Sequence, residues 1–208
     1  MRKLTLAAGK ADDGERIDRF IAARGGISRG EARRALERGG VFLGGKRCKV
    51  AGRLVHAGDR VVVNLAEAGR GADAAAPLDR SRLLFADDWL AAVDKPAGVP
   101  SQPTLTSDRG HLPELVAALV GAPVRLVHRL DRETSGVTVL ARTAPAERAL
   151  SAAFRDGTPT KTYLALCVRA PEPPEGEIDA PLGKDPRHPG RRAIVPGGDP
   201  ASTRYRTL

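Results

Sequence analysis

Three glycine pairs, Gly25-Gly26, Gly39-Gly40 and Gly44-Gly45, cut the first fifty residues into pieces that leave room only for short elements. Each pair acts as a helix stop or a turn. Before the first pair, Arg16 to Arg24 places Ile17, Phe20 and Ile21 at i, i+3 and i+4, which predicts a short amphipathic helix. After it, Ser28 stands three residues before Glu31 in a capping box, and Ala32, Ala35 and Leu36 carry a second helical face as far as Gly39. Arg29, Arg33, Arg34 and Arg38 fall on the outward positions of that helix. Val41 to Leu43 and the segment through Lys46, Arg47 and Lys49 read as a hairpin across Gly44-Gly45, with Val61 to Val63 as a further strand after Gly58-Asp59. Residues 1–65 therefore read as a small helix-helix-strand module.

Charge is concentrated in the same region. The chain of 208 residues carries a formal +9, of which residues 1–76 hold +7 and residues 77–208 hold +2. Such a surplus on a compact module calls for an anionic partner, and a phosphate polymer fits better than a lipid surface because no apolar stripe accompanies the charge. No run of about 18 apolar residues is present to span a bilayer, and the N-terminus is too short in apolar residues for a secretion signal. With only Cys48 and Cys167, and no partner spacing between them, the expectation is a reduced, cytoplasmic protein. His56, His111, His128 and His188 are too scattered to share a metal ion, and neither a G-x-G-x-x-G nor a P-loop suggests a nucleotide. The expected protein has no metal and no cofactor, and is a monomer.

Residues 66–80, rich in alanine and glycine, predict a linker. Beyond it, Leu83 to Phe85 and Leu90 to Val93 predict a hairpin ending at Lys95-Pro-Ala-Gly98, His111 to Gly121 a helix, and Val124 to Val127 and Val137 to Ala141 two strands. A helix from Ala144 to Phe154 and a strand from Thr162 to Val168 follow, so that residues 81–208 form a mixed α+β domain. Between two of these strands, Val127 to Gly136 gathers a carboxylate, Asp131, with His128, Arg129, Arg132, Thr134 and Ser135. Nearby cations hold a carboxylate ionised and loop hydroxyls or amides fix its direction, as a nucleophile or a base requires. A structural ion-pair loop uses the same residue types.

The front module, from Arg16 to about Asn64, resembles the α-L RNA-binding module first known from a small-subunit ribosomal protein. Ser28 to Arg38, the strand at Val41, the Gly-Gly-Lys turn ending at Lys46, and Gly58-Asp59 carry the likeness. The second part resembles the RluA-type family of RNA pseudouridine synthases, on His128-Arg-Leu-Asp131 followed by Thr134-Ser-Gly136. Phe85 to Leu90, Asp94 to Gly98, Lys161 to Ala165, Asp185 to His188 and Ala201 to Tyr205 support it in order. The fold class implied is α+β, an α-L module followed by a mainly antiparallel pseudouridine synthase domain.

This resemblance implies isomerisation of a uridine within RNA, ribosomal RNA being favoured over transfer RNA. Asp131 takes the catalytic position, as a nucleophile on sugar or base or as a base toward the sugar, and Tyr163 takes the position of an active-site tyrosine beside the uracil. Arg129 fills the gap left by the displaced uridine or clamps a phosphate. Arg132, Arg29, Arg33, Arg34, Arg38, Lys46 and Arg187 complete the expected RNA contacts. Lys95, in Lys-Pro-x-Gly, is expected to be structural. In the family the domain continues past Ala-x-Thr-x-Tyr to a basic partner of the catalytic aspartate, so the chain ending at Leu208 reads as a fragment; a catalytically inactive RNA-binding protein is the alternative.

Overall fold

The computed structural model describes residues 2–66, 76–188 and 190–208, in two compact bodies, 1–160 and 161–208. Most of the expected linker lies outside the described residues. The elements run β1 (Arg2–Ala7), α1 (Ile17–Gly25), α2 (Arg29–Arg38), β2 (Val41–Leu43), β3 (Lys46–Cys48), β4 (Arg60–Leu65), β5 (Leu83–Ala86), β6 (Leu90–Lys95), α3 (Leu112–Val120), β7 (Arg125–Leu126), β8 (Gly136–Ala141), α4 (Ala144–Arg155), β9 (Glu175–Asp179), β10 (Leu182–Lys184), β11 (Arg192–Ile194) and β12 (Ser202–Arg206). The result is an α+β protein built on antiparallel sheets.

In the front module, α1 and α2 accompany a sheet ordered β1-β4-β2-β3. Ile17, Phe20 and Ile21 from α1 meet Ala32 and Leu36 from α2 and Val41, Val61 and Val63 from the sheet, all fully buried. The capping box forms as expected: Ser28 Oγ accepts the Glu31 amide at 3.1 Å, and Glu31 accepts the Ser28 amide at 2.9 Å. Gly39 closes α2 at φ 81°, a left-handed conformation that a side chain resists. Strand β1 was not expected from the sequence, although Leu4 and Leu6 alternate along it and pack against the core.

Asp18 lies fully buried at the start of α1. It accepts hydrogen bonds from Arg16 Nε at 3.1 Å, Arg29 Nε at 3.0 Å and the Arg19 amide at 3.1 Å. Burial would push its carboxyl up, but the Arg16 and Arg29 guanidinium groups together outweigh it and hold the group below its ordinary value. Asp18→Ala is expected to destabilise the module by about 2 kcal/mol, because the buried arm of the network is lost while the half-exposed arginines find water. In the wild type this contribution is complete above pH of about 4 and is lost as acidification passes through the lower folded-state value. Thermal melts of the two proteins between neutral and acidic pH should therefore converge at the acidic end.

The second core lies under a sheet ordered β5-β6-β8-β7. Ala91 and Val93 from β6 and Leu140 from β8 pack with Leu112, Leu115 and Val116 of α3. Alternation along β6 buries Ala91, Val93 and Lys95 on one face. In the second body, β9 pairs with β12 and β10 with β11, and none of the described residues there is buried.

The strand expected at Thr162 to Val168 does not form. Leu166 and Val168 are fully exposed, and no described strand pairs with the segment. Its β-branched and aromatic residues suit a pleated surface, but a strand also needs a ladder partner.

Candidate active site

Strands β7 and β8 pair directly, Leu126 opposite Leu140, so residues 127–135 form one long hairpin loop. Strand β8 also pairs along its whole length with β6, Gly136 opposite Lys95, and the two strands deliver the loop and the Lys95-Pro-Ala-Gly98 turn to the same sheet end. His128 secures the entry to the loop. Its Nε2 accepts the Val139 amide at 2.9 Å, which makes that nitrogen unprotonated, and its ring stacks on Phe154 of α4 with centroids 4.0 Å apart. These contacts extend the β7–β8 ladder by a side chain where the backbone leaves it.

At the centre of the loop, the Thr134 amide donates to Asp131 O at 3.1 Å, closing a tight turn. Three residues fix the backbone on either side of Asp131. Ser101 Oγ donates to Leu130 O at 2.6 Å and accepts the Leu130 amide at 3.2 Å. The Gly98 amide donates to Arg132 O at 2.8 Å, and Arg132 Nε returns a bond to Gly98 O at 2.8 Å. Lys95 Nζ, fully buried, donates to Arg132 O at 3.1 Å, Val99 O at 2.9 Å and Pro96 O at 3.2 Å.

The electrostatics of this loop correct one expectation. Neither Arg129 nor Arg132 forms an ion pair with Asp131. Arg132 is drawn instead to Gly98 O and lies 3.8 Å from Glu133. Among the described residues the Asp131 carboxylate has no hydrogen-bond or ion-pair partner; it and Arg129 are exposed. The Asp131 carboxylate acts electrostatically on the buried Lys95 ammonium. Burial pushes the Lys95 ammonium below its ordinary value, and the negative charges of Glu133 and Asp131 act against that shift. Lys95→Met keeps the apolar stem and removes one donor from each of three carbonyls, of which Arg132 O keeps the Gly98 amide, so the expected cost is about 2 kcal/mol of stability. Thermal unfolding measures it.

The remaining expected site residues are distributed over both bodies. Arg33, Arg34 and Lys46 are exposed on α2 and at the start of β3, and Arg38 is partly buried. Arg29, expected to face RNA, pairs with Asp18 at 3.0 Å, because a buried carboxylate needs a cation more than a solvated surface does. Tyr163 belongs to the second body, exposed and outside any regular element. Arg187 is exposed there, in a turn where Asp185 accepts its amide at 2.8 Å and holds His188 Nδ1 at 3.0 Å. Among the described residues no group of three or more His, Cys, Asp and Glu side chains could hold a metal ion, and no helix is long and apolar enough to cross a membrane. Ser101 was not expected from the sequence, since nothing in a polar, irregular stretch marks it as the partner of a residue 29 positions away.

The hairpin loop with an exposed aspartate at its turn lies within a match to the RNA pseudouridylate synthase family that covers residues 90–208, more than half of the chain. The chain belongs to this family. A match to the S4 domain covers residues 15–61 of the front module. An uncharacterised RNA pseudouridine synthase of Chloroflexus aurantiacus is 37% identical over 202 residues, covering 93% of this chain and 63% of that protein. The ribosomal large subunit pseudouridine synthase D of Nitrosomonas europaea is 40% identical over 134 residues, 61% of this chain and 38% of that protein. The dual-specificity RNA pseudouridine synthase RluA of Escherichia coli is 38% identical over 133 residues, 61% of this chain and 58% of that protein. The chain thus spans less than two thirds of the length of each of these pseudouridine synthases.

Proposed function

We propose that this protein converts uridine to pseudouridine within RNA, with ribosomal RNA as the substrate class and Asp131 as the reacting group. The observation that carries the reading is Asp131 itself: a carboxylate with no hydrogen-bond or ion-pair partner among the described residues, at the apex of a loop whose backbone is tied down on both sides. Side chains with a purely structural task are usually satisfied by their neighbours; this one is aimed outward on a fixed support. In the reaction the bond from uracil nitrogen 1 to the sugar breaks, the uracil turns, and carbon 5 joins the same sugar carbon. Carbon 5 gives up its proton and nitrogen 1 gains one, so the product is an isomer and neither oxidant nor cofactor is consumed. Asp131 serves by attacking the sugar or the base, or by taking the sugar proton beside the anomeric carbon.

The front module holds the RNA through Arg33, Arg34, Arg38 and Lys46, supported by the +7 charge of residues 1–76 and by its S4 likeness. Arg129, exposed beside Asp131, takes the place of the displaced uridine or a phosphate, with Arg132 supporting the loop from Gly98. Tyr163 packs on the uracil, and Arg187 adds a phosphate contact. The name of the relative from Nitrosomonas europaea, a ribosomal large subunit pseudouridine synthase, supports ribosomal RNA over transfer RNA. We place residues 1–65 as the RNA-binding module and 81–208 as catalytic, in a cytoplasmic monomer that works without a metal.

Incubation with ribosomal RNA carrying tritium at carbon 5 of uridine tests the reading. Tritium release to water is expected, and binding without release would favour an RNA-binding protein that acts through the front module alone.

A further inference from the structure

Segment 101–108 touches both the RNA-binding module and the loop that carries Asp131. At its first end, Ser101 is almost fully buried and makes two bonds to the backbone of Leu130, the residue before Asp131. At its other end the segment is clasped by the module. Arg47 Nη2 donates to Thr104 O at 2.8 Å, Lys49 Nζ pairs with Asp108 at 3.1 Å, and the Asp108 amide donates to Arg38 O at 3.0 Å at the end of α2. Between the two ends the chain is closed on itself: the Thr104 amide donates to Ser107 O at 2.8 Å, and Thr104 Oγ1 accepts the Ser107 amide at 3.0 Å.

Arg47 is built into this contact. One arm of its guanidinium reaches Thr104, another donates to Gly39 O, and the group lies over the Phe42 ring at 4.9 Å from the centroid. The planar fork lets one side chain join the end of α2, the β2–β3 hairpin and the segment at once. Gly40 admits the close approach, since a Cβ there would stand 3.2 Å from Thr106 O and 2.6 Å from Asn64 O. Two basic residues of the front module, Arg47 and Lys49, are thus committed to protein acceptors.

We propose that segment 101–108 is a brace that fixes the reach from the module to Asp131, with Arg47 and Ser101 as its positioning residues. RNA seated on the module is then presented to the carboxylate at a set distance, which restricts the uridines that can react. This rests on the reading that the module holds RNA and that Asp131 reacts with it. Each side of the clasp has a separate apolar core, so opening the brace leaves both folded. Reaction is lost because the loop is no longer held where the RNA is delivered.

The test uses the full chain carrying Arg47→Lys, Asp108→Asn or Ser101→Ala. Arg47→Lys keeps the charge but cannot serve both carbonyls. For each variant, hydrogen exchange at the Leu130 amide is measured by nuclear magnetic resonance, affinity with a large-subunit ribosomal RNA transcript, and single-turnover rate by tritium release from carbon 5. A brace predicts Leu130 exchange at least fivefold faster in all three variants, affinity within about threefold of wild type, and rates lowered at least tenfold. If Arg47 and Lys49 are instead phosphate contacts held in reserve, Asp108→Asn tightens RNA binding and Arg47→Lys leaves Leu130 exchange unchanged, which overturns the brace. Absence of tritium release from the wild type would refute the proposed activity, whereas the exchange measurement decides the brace in either case.

Discussion

Asp131→Asn is expected to lower pseudouridine formation by at least about a thousandfold while RNA affinity stays within about threefold. The carboxamide has nearly the shape of the carboxylate but lacks the anionic oxygen needed for either attack or proton abstraction. A thousandfold loss corresponds to roughly 4 kcal/mol of transition-state stabilisation. The same substitution should hardly affect folding, by about 0.5 kcal/mol or less, because the exposed carboxylate has no hydrogen-bond or ion-pair partner among the described residues. This separates Asp131 from Lys95, whose replacement acts through stability. Tritium release and thermal melts on the same preparations check the distinction; a variant that melts with the wild type and turns over within tenfold of it would remove Asp131 from the chemistry.

The second large effect concerns affinity. Replacing Arg33, Arg34 and Lys46 together by Gln removes three exposed cations from the module without touching its core or the Asp18 network. If each contacts one phosphate, the slope of log affinity against log salt flattens by about 0.7–0.9 per residue, and affinity at physiological salt falls by roughly a hundredfold. The rate from saturated complex should change little. Binding titrations across a series of salt concentrations measure the slope, and an unchanged slope would place the RNA on another face.

Local signals carried well from sequence to structure. The Ser28–Glu31 capping box, the Gly39 stop and the alternation that buries Ala91 and Val93 all act within a few residues, and the corresponding elements form where those signals fall. Strand β1 went unread despite the alternation of Leu4 and Leu6, because the strand it pairs with, β4, is remote in sequence. Residues 162–168 show the converse, with strand composition and no paired neighbour among the described residues.

The site was legible to the extent that its residues are contiguous. His128 to Gly136 stands out as a string, but the string alone suggests that its arginines hold Asp131 ionised. In three dimensions Arg132 turns to Gly98, and Asp131 acts electrostatically on the buried ammonium of Lys95, 36 positions earlier. Arg29 is claimed by the buried Asp18: burial makes a carboxylate's need for a partner decisive, and burial is a tertiary property. The Ser101–Leu130 and Lys49–Asp108 contacts join residues 29 and 59 apart and have no sequence periodicity to reveal them.

Nucleoside analysis of treated RNA separates an isomerase from a protein that only binds RNA. Ribosomal RNA is incubated with the wild type or with Asp131→Asn, digested completely, and separated by chromatography with mass detection. The account predicts a new nucleoside of the mass of uridine but different retention, at the expense of uridine, in the wild-type sample alone. Equal amounts in both samples, or none in either while both proteins bind the RNA, would contradict it.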